Sequence, residues 1–590
     1  MGIRGRILAA VLLQFRQFLP LYLRESQRRV SRQLSPGRLN PLRYSGRSPD
    51  RLIVAPSDLR IADPYIAQEI HENRFPLAGR VLDAGDESPF AHPGPSRGFD
   101  ETLHSFRWLR HLRAANSDEA CADAKRLTED WINLWGRRFS GIGWEADICA
   151  QRVIAWLSHS PVILKNQDRG FYRRFIRSLA LQIRYLRRIA PAIRDGEKRF
   201  VVRIAIAMAT LSLPASSSAI RAAARHLDQE FDRQILPDGG HVSRNPQVAM
   251  VLLADLLPLR QTYLNLSQTP PKGLVSSVDR MFQALRFFRH VDGTLALFNG
   301  TTAHPADRLL SVLRYDEFTG EPPRNAPQLN YQRLSNQDTV IIADTGSIPR
   351  GDLSATHHAG CLSFEMSSGQ YRFIVNAGAP VIHHDEYRRL ARSTAAHSTL
   401  IVADRSSATV STSRFLGPIL VHGPRKVEAE RHDEPTGKQE FVARHDGYAA
   451  SFGIIHERSI SLSLDGNLIN GRDKIVQAAR HKLKIDKETA AAVRFHIYPK
   501  IKLSHDRKGN IVLTAPDGEQ WTFLSPDVEA MIEEDVYFAD LAGPRRSQQI
   551  TLHFAIPEHW EVGWSLVRTI PKTSGEAVRP ARGNPPAPPG

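Results

Sequence analysis

Cysteine is nearly absent: Cys121, Cys149 and Cys361 are the whole complement of 590 residues, and no two share a CxxC spacing. An odd number without that spacing excludes a disulfide scaffold and a thiolate zinc site, and leaves the redox compartment open. Long hydrophobic runs are missing too. The longest, near residues 204–213 and 248–259, are interrupted or fall short of the roughly 20 apolar residues a bilayer span needs, so the chain is not polytopic. There is no P-loop, no zinc finger, no RNP-like aromatic motif and no internal repeat. Acidic residues are in deficit: 62 Asp and Glu face 78 Lys and Arg, a formal charge of +16. The imbalance is concentrated, since residues 1–60 hold twelve Arg, no Lys and three acids.

What is present suffices for several cores, because 42% of the residues are apolar and the length suggests two to four domains. The basic excess favours a polyanion, and nucleic acid, anionic lipid and acidic polysaccharide all satisfy it. Without a reading motif, no specific nucleic acid is expected. Arg4 and Arg6 precede ILAAVLLQF (7–15), which resembles the start of a signal peptide, yet Arg16 follows at once and no small-x-small cleavage site succeeds it. The segment reads instead as an amphipathic surface helix, a route to peripheral membrane contact.

From about residue 100 to 265 the apolar spacing is helical. Ile176, Leu179, Ile183, Leu186 and Ala190 fall on one face, with Arg173, Arg174, Arg177, Arg184, Arg187 and Arg188 on others. RFVVRIAIAMATLSL is apolar nearly all round and stops at Pro214, as a helix enclosed by others does. Ile220, Ala224, Leu227 and Phe231 mark a further helix, closed by the turn Pro237-Asp238-Gly239-Gly240. After about residue 335 the period becomes two, as in Leu362/Phe364/Met366, Ile460/Leu462/Leu464 and Ile550/Leu552/Phe554/Ile556. With turns at Asp465-Gly466, Lys508-Gly509 and Asp517-Gly518, these strands predict antiparallel sheets packed as a sandwich. The expected organisation is a basic segment (1–60), a helical domain (61–330), a β-sandwich domain (331–571) and a disordered tail (572–590). Residues 30–100 read as a long connector with few regular elements.

THHAGCLSFEMSSGQYRFIVNAGAP (356–380) and EYRRLARSTAAHSTLIV (386–402) resemble the start of the β-domain in heparinase II/III-like proteins. LHSFRWLRHL (103–112), GWEADICAQRVIAWL (143–157) and LPDGGHVSRNP (236–246) are similar to strings of that family's helical domain. The resemblance spans roughly residues 60–565. It implies a multidomain α and β fold: an incomplete (α/α) toroid followed by an antiparallel β-sandwich, with a cleft between them. It also implies a polysaccharide lyase that acts on uronic-acid polymers, located in the cell envelope or periplasm, with an acidic polysaccharide as its partner.

β-Elimination needs a group that neutralises the uronate carboxylate, a base for the neighbouring carbon's proton and an acid for the leaving oxygen. In the family an Asn, Glu or Gln does the first task, and His and Tyr exchange the protons. This chain departs from that pattern. Lys198 and Arg199 stand where Asn and His are expected, Val248 where the Tyr is expected, and Thr356 replaces the first His of a His-x-His-x-Asp string that retains His358. Local substitutes are His241 as base and Asn245 and Arg244 as neutralisers after the Asp238-Gly239 turn, with Tyr387 supplying the phenol. His358 is a further catalytic candidate. Arg199, Arg388, Arg152 and Trp144 are candidates for holding substrate, Trp144 by stacking on a pyranose face.

Several family members hold zinc with His, Asp and His, and the matching positions are His358, Asn376 and His397. Zn2+ is the cofactor this allows, weakened by a neutral amide in place of a carboxylate; the alternative is a hydrogen-bonded cluster. His383 and His384 are spare ligands, and no organic cofactor is expected. Three readings stay open: a lyase, a catalytically altered relative that binds an anionic envelope polysaccharide without cleaving it, and a general polyanion binder.

Overall fold

The computed structural model describes residues 19–570 apart from 28, 31–43, 45, 318–319, 382–383 and 480. The expected surface helix at 7–15, the expected tail at 572–590 and His383 lie outside the described residues.

The first half is a succession of antiparallel helices: Arg97–Ser105, Asp118–Trp135, Ala146–Ser158, Arg169–Ile189, Glu197–Ser212, Ser217–Gln234, Gln247–Asn265 and Lys272–Phe287 are the main ones. Arg169–Ile189 starts where the Asp168 side chain accepts the Phe171 N–H at 2.8 Å. It buries Phe171, Phe175, Ile176, Leu179, Ile183 and Leu186, and ends in a 3-10 turn containing Pro191. Glu197–Ser212 is enclosed, as its all-round apolarity requires: from Arg199 onward every residue except Arg203 is buried. It packs on Ala146–Ser158, Ser217–Gln234 and Gln247–Asn265. The Ser217–Gln234 helix buries Ala223, Leu227 and Phe231, so its inward stripe lies one residue before the expected Ala224.

The second half is two antiparallel sheets. One runs in the order Ala530–Tyr537, Arg545–Ala555, Ala490–Ile497, Tyr371–Val375, Phe364–Ser368, Thr339–Asp344, Tyr331–Asn336 and Asn325–Ala326, and Leu400–Val402 also pairs with Ala490–Ile497. The other contains Val427–Asp433, Gln439–His445, Ile454–Leu462, Leu468–Gln477, Glu561–Ile570, Gln520–Leu524, Ile511–Thr514 and Lys502–His505. Their inner faces share one core, including Phe364, Phe495, Trp521, Trp564 and Ile460. Two expected strand positions are corrected. Leu362 sits in the turn before its strand at φ +61°, and Leu464 lies beyond the strand end at Leu462 and is 59% exposed.

Two segments fall outside the simple division. The supposed connector contains a helix, Pro64–His71, and a hairpin of Arg74–Leu77 with Arg80–Asp83. Residues 19–27 and 29–30 are helical and touch both halves: Arg24 reaches Asp195, while Tyr22 stacks on Phe415 at 5.4 Å.

The toroid and sandwich share buried surface. Tyr331, Val340 and Ile342, on the outer face of the first sheet, belong to the helical core. Polar contacts fix the register: His290 meets Ser367 at 2.8 Å and Glu365 at 3.1 Å, and Arg333 donates to the Phe287 carbonyl at 2.8 Å. Among the described residues no helix is long and apolar enough to cross a membrane.

Candidate active site

The enclosed helix starts directly after Gly196, whose φ of +125° suits glycine. Lys198 binds Asp147 at 2.7 Å. Burial pulls its pKa down, but Asp147 outweighs that and the net shift is upward. Arg199 is buried and donates from Nε and Nη2 to Glu230 at 3.1 and 3.0 Å, with Asp195 as a second acid. At the rim, Arg97 forms a two-oxygen contact with Glu145, both at 2.8 Å, and meets Glu101 at 2.9 Å. Each of these cations is matched by an acid of the chain itself.

The loop after the Asp238-Gly239 turn comes next. His241 is buried, its Nδ1 accepts from the Ser243 N–H at 3.1 Å and faces Ser243 Oγ at 2.7 Å, so Nε2 carries the proton and donates to Gln234 Oε1 at 2.8 Å. Burial pushes its pKa down to about 3. Both ring nitrogens are occupied within the protein, which gives a structural role in place of the expected base. Arg244 is likewise spent internally. It adopts φ +63°, donates to the carbonyls of Leu329 (2.8 Å), Asn330 (3.0 Å) and Ser347 (3.2 Å), pairs with Asp344 and lies 4.8 Å over the Tyr331 ring. It joins toroid to sandwich, and four of its five N–H donors are spent on the protein itself. Asn245 is half-buried; its Oδ1 accepts from Gln247 N and Thr301 Oγ1, both at 2.9 Å, leaving Nδ2 without an acceptor among the described residues. Val248 is buried.

Two substrate-holding expectations are overturned by burial. Trp144 is 2% exposed, donates to the Trp135 carbonyl at 2.8 Å and packs on Phe139 and Tyr185, so no sugar reaches its face. Arg152 is fully buried, with Gln182 Oε1 at 2.8 Å, the His104 carbonyl at 2.9 Å and the Trp131 ring 3.8 Å below it. Desolvation pushes its pKa down to about 10.

The sandwich wall carries the histidines. His358 Nδ1 lies 3.1 Å from His397 Nε2, and His397 Nδ1 lies 2.7 Å from the Ser393 carbonyl. A carbonyl only accepts, so His397 is protonated on Nδ1, His358 donates from Nδ1, and His358 Nε2 keeps a free lone pair. Burial holds both rings well below the usual histidine range, His397 at about 4. Asn376 belongs to a different knot. Its Oδ1 accepts from Ser398 N at 3.1 Å and its Nδ2 donates to Glu365 at 3.3 Å. The donor set thus amounts to two nitrogens facing one another, with the amide oxygen committed elsewhere, and it does not fit a tetrahedral zinc. Among the described residues no group of three or more His, Cys, Asp or Glu side chains could hold a metal.

The two walls converge at Gly300. A Cβ there would sit 2.8 Å from the Thr356 carbonyl and 3.3 Å from Asn245 Nδ2, and the His358 N–H donates to Asn299 Oδ1 at 3.2 Å. Tyr387 and Arg388 stand on the short Asp385–Ala391 helix. Tyr387 is 36% exposed, its ring 4.3 Å from that of His384 and 5.8 Å from that of Phe538, and burial lowers the pKa of Arg388 against the pull of Asp385 and Glu101. One group escaped the sequence reading. Glu197 is half-buried at the start of the enclosed helix, its carboxyl raised by burial against the opposing pull of Arg107 and Lys198. Its signal was an acid directly after the glycine that opens the helix.

The profile described as "Heparinase II/III-like, C-terminal" matches residues 319–565. Across 542 residues, covering 89% of this chain and 91% of the relative, the sequence is 30% identical to FtsZ-localized protein C of Caulobacter vibrioides. This chain belongs to the heparinase II/III-like family. The fold of this heparinase II/III-like protein is similar to a crystal structure of heparinase III, with a TM-score of 0.67 at 13% identity, covering 92% of this chain and 91% of that one. It is also similar to the heparan sulfate lyase HepC of Pedobacter heparinus, with a TM-score of 0.57 at 15% identity, covering 90% and 88%.

Proposed function

We propose that this heparinase II/III-like protein is a catalytically altered member that retains the cleft as a binding surface for an acidic glycan without cleaving it, and that it acts where FtsZ does. One observation carries the loss of cleavage: the cations that could neutralise a uronate carboxylate are already paired. Lys198 is held by Asp147, Arg199 by Glu230 and Asp195, Arg97 by Glu145, and Arg244 by Asp344. A uronate carboxylate reaching Arg199 or Arg244 has to displace a buried carboxylate, and leaving that acid unpaired costs several kcal/mol, whereas the exposed Lys198 and Arg97 keep their charge at the surface for the acid groups of a bound glycan. Val248 transfers no proton where the family has a phenol. The second part is supported by 30% identity over most of the chain to a relative named for its localisation with FtsZ.

A lyase reading keeps one supporting feature, the open Nε2 of His358 at the end of the His397–Ser393 relay, with Glu197, whose pKa burial raises, as neutraliser. The test has two arms. A fluorescent fusion of the full chain should gather with FtsZ, and the purified protein should retain heparan sulfate or alginate fragments without producing the absorbance of an unsaturated uronate. Diffuse fluorescence contradicts the localisation. Product that disappears in His358→Ala contradicts the non-cleaving reading and installs the lyase.

A further inference from the structure

The Arg169–Ile189 helix holds seven arginines, Arg169, Arg173, Arg174, Arg177, Arg184, Arg187 and Arg188, and no acid. At 1.5 Å per residue it is about 31 Å long. Its apolar face is turned into the toroid, so the arginines line the outside. Among the described residues only Arg174 has a carboxylate partner, Glu129. Arg184 donates to the backbone carbonyls of Tyr44 and Arg47, and Arg187 to Thr210 Oγ1 at 2.8 Å; these neutral acceptors leave the charges uncompensated. Arg169, Arg173, Arg177 and Arg188 are exposed and have no partner among the described residues. This surface lies outside the cleft, where the family's chemistry is placed.

A second element adjoins it. The helical residues 19–27 are anchored by the Arg194–Glu25 pair at 2.6 Å and the Arg24–Asp195 pair at 3.4 Å, immediately after the arginine helix and its terminal turn. Leu19 and Leu23 occur at i and i+4, on one face of that helix, and are 41% and 60% exposed, with Val30 in the helical residues 29–30 exposed to 50%. A row of arginines alone suits any polyanion. An apolar face set beside that row is wasted on a glycan or a nucleic acid backbone, whereas it matches a bilayer, which offers anionic headgroups above an apolar interior.

We propose that the outer face of Arg169–Ile189, together with Leu19, Leu23 and Val30, is a docking surface for an anionic phospholipid membrane. The guanidinium groups bind headgroup phosphates and the leucines enter the acyl boundary. The surface is independent of whether the cleft cleaves. It also acts in addition to any contact made by residues 7–15.

The test is co-sedimentation of the full chain with vesicles of phosphatidylcholine alone and with about one-third phosphatidylglycerol. The anionic vesicles should retain the protein and the neutral ones should not. Each arginine near the surface contributes about 1 kcal/mol, so Arg173→Glu/Arg177→Glu/Arg188→Glu should weaken partitioning on the order of a hundredfold. Leu23→Glu should weaken it about tenfold. Lys500→Glu/Arg507→Glu/Lys508→Glu, on exposed sandwich positions with the same change in net charge, should alter it less than about threefold. The neutral Arg173→Gln/Arg177→Gln/Arg188→Gln variant gives an intermediate loss and serves if the Glu variant misfolds. Equal binding to neutral vesicles, equal losses in the two triple-Glu variants, or retention on heparin or duplex DNA with no binding to vesicles each overturns the proposal.

Discussion

Arg244 offers the sharpest test of how the two halves are joined. Replacing it with Met keeps much of the aliphatic bulk and removes every donor. Among the described residues the Asp344 side chain then keeps only the Gly346 N–H at 3.1 Å and Asn299 Nδ2 at 2.8 Å, while the carbonyls of Leu329, Asn330 and Ser347 lose a donor. Breaking a buried ion pair from one side costs about 3–5 kcal/mol, because the remaining charge stays desolvated. The expected loss for Arg244→Met is therefore about 4 kcal/mol, read as an earlier denaturant midpoint in urea followed by tryptophan fluorescence. Asp344→Asn in the same chain should return part of it, since the stranded charge is gone, and a double-mutant cycle should show coupling above about 1 kcal/mol. Arg244→Met costing under about 1 kcal/mol, or strict additivity in the double variant, refutes the clamp.

Three further outcomes are expected. His104, His111 and His241 are buried, mainly desolvated, and held at about 3, 4 and 3, so below pH 6.5 the unfolded chain takes up protons that the folded chain refuses. Stability should be full above that pH and fall as pH drops from 6.5 toward 4, with each histidine contributing up to about 1.4 kcal/mol per pH unit; His241→Gln should lower that slope by one proton, and a denaturant midpoint constant across the window refutes the assignment. Gly239 has φ +84°, and a Cβ there would lie 1.8 Å from the Arg280 carbonyl, so Gly239→Ala should cost at least about 2 kcal/mol, whereas a wild-type midpoint would show that the turn yields easily. Elemental analysis of the folded full-length protein should find no stoichiometric zinc, and one zinc per chain lost in His397→Ala would reverse the reading of the histidine pair.

The change from a period near 3.6 to a period of two was legible because it depends only on neighbouring residues, and both the enclosed helix ending before Pro214 and the strands around Phe364 and Ile460 follow from it. Boundaries were less secure. Leu464 continues the alternation on paper, but the turn at Asp465-Gly466 ends the strand first. The site resisted reading for a long-range reason: the acids that neutralise Lys198, Arg199 and Arg244 are Asp147, Glu230 and Asp344, which reach them only through the fold. Trp144 beside two glycines looked like an exposed loop aromatic, yet the loop turns inward under Phe139 and Tyr185. Asn245 and Thr356 come together at Gly300, a juxtaposition of the two halves that no local stretch of sequence displays.

The claim that the cleft has lost its chemistry is tested most directly by prolonged incubation of stoichiometric full-length protein with heparan sulfate, followed by absorbance of the conjugated uronate and by chain length. The account predicts no new absorbance and unshortened polymer. Shortened chains bearing an unsaturated end, formed by wild type and absent with His358→Ala, would contradict it.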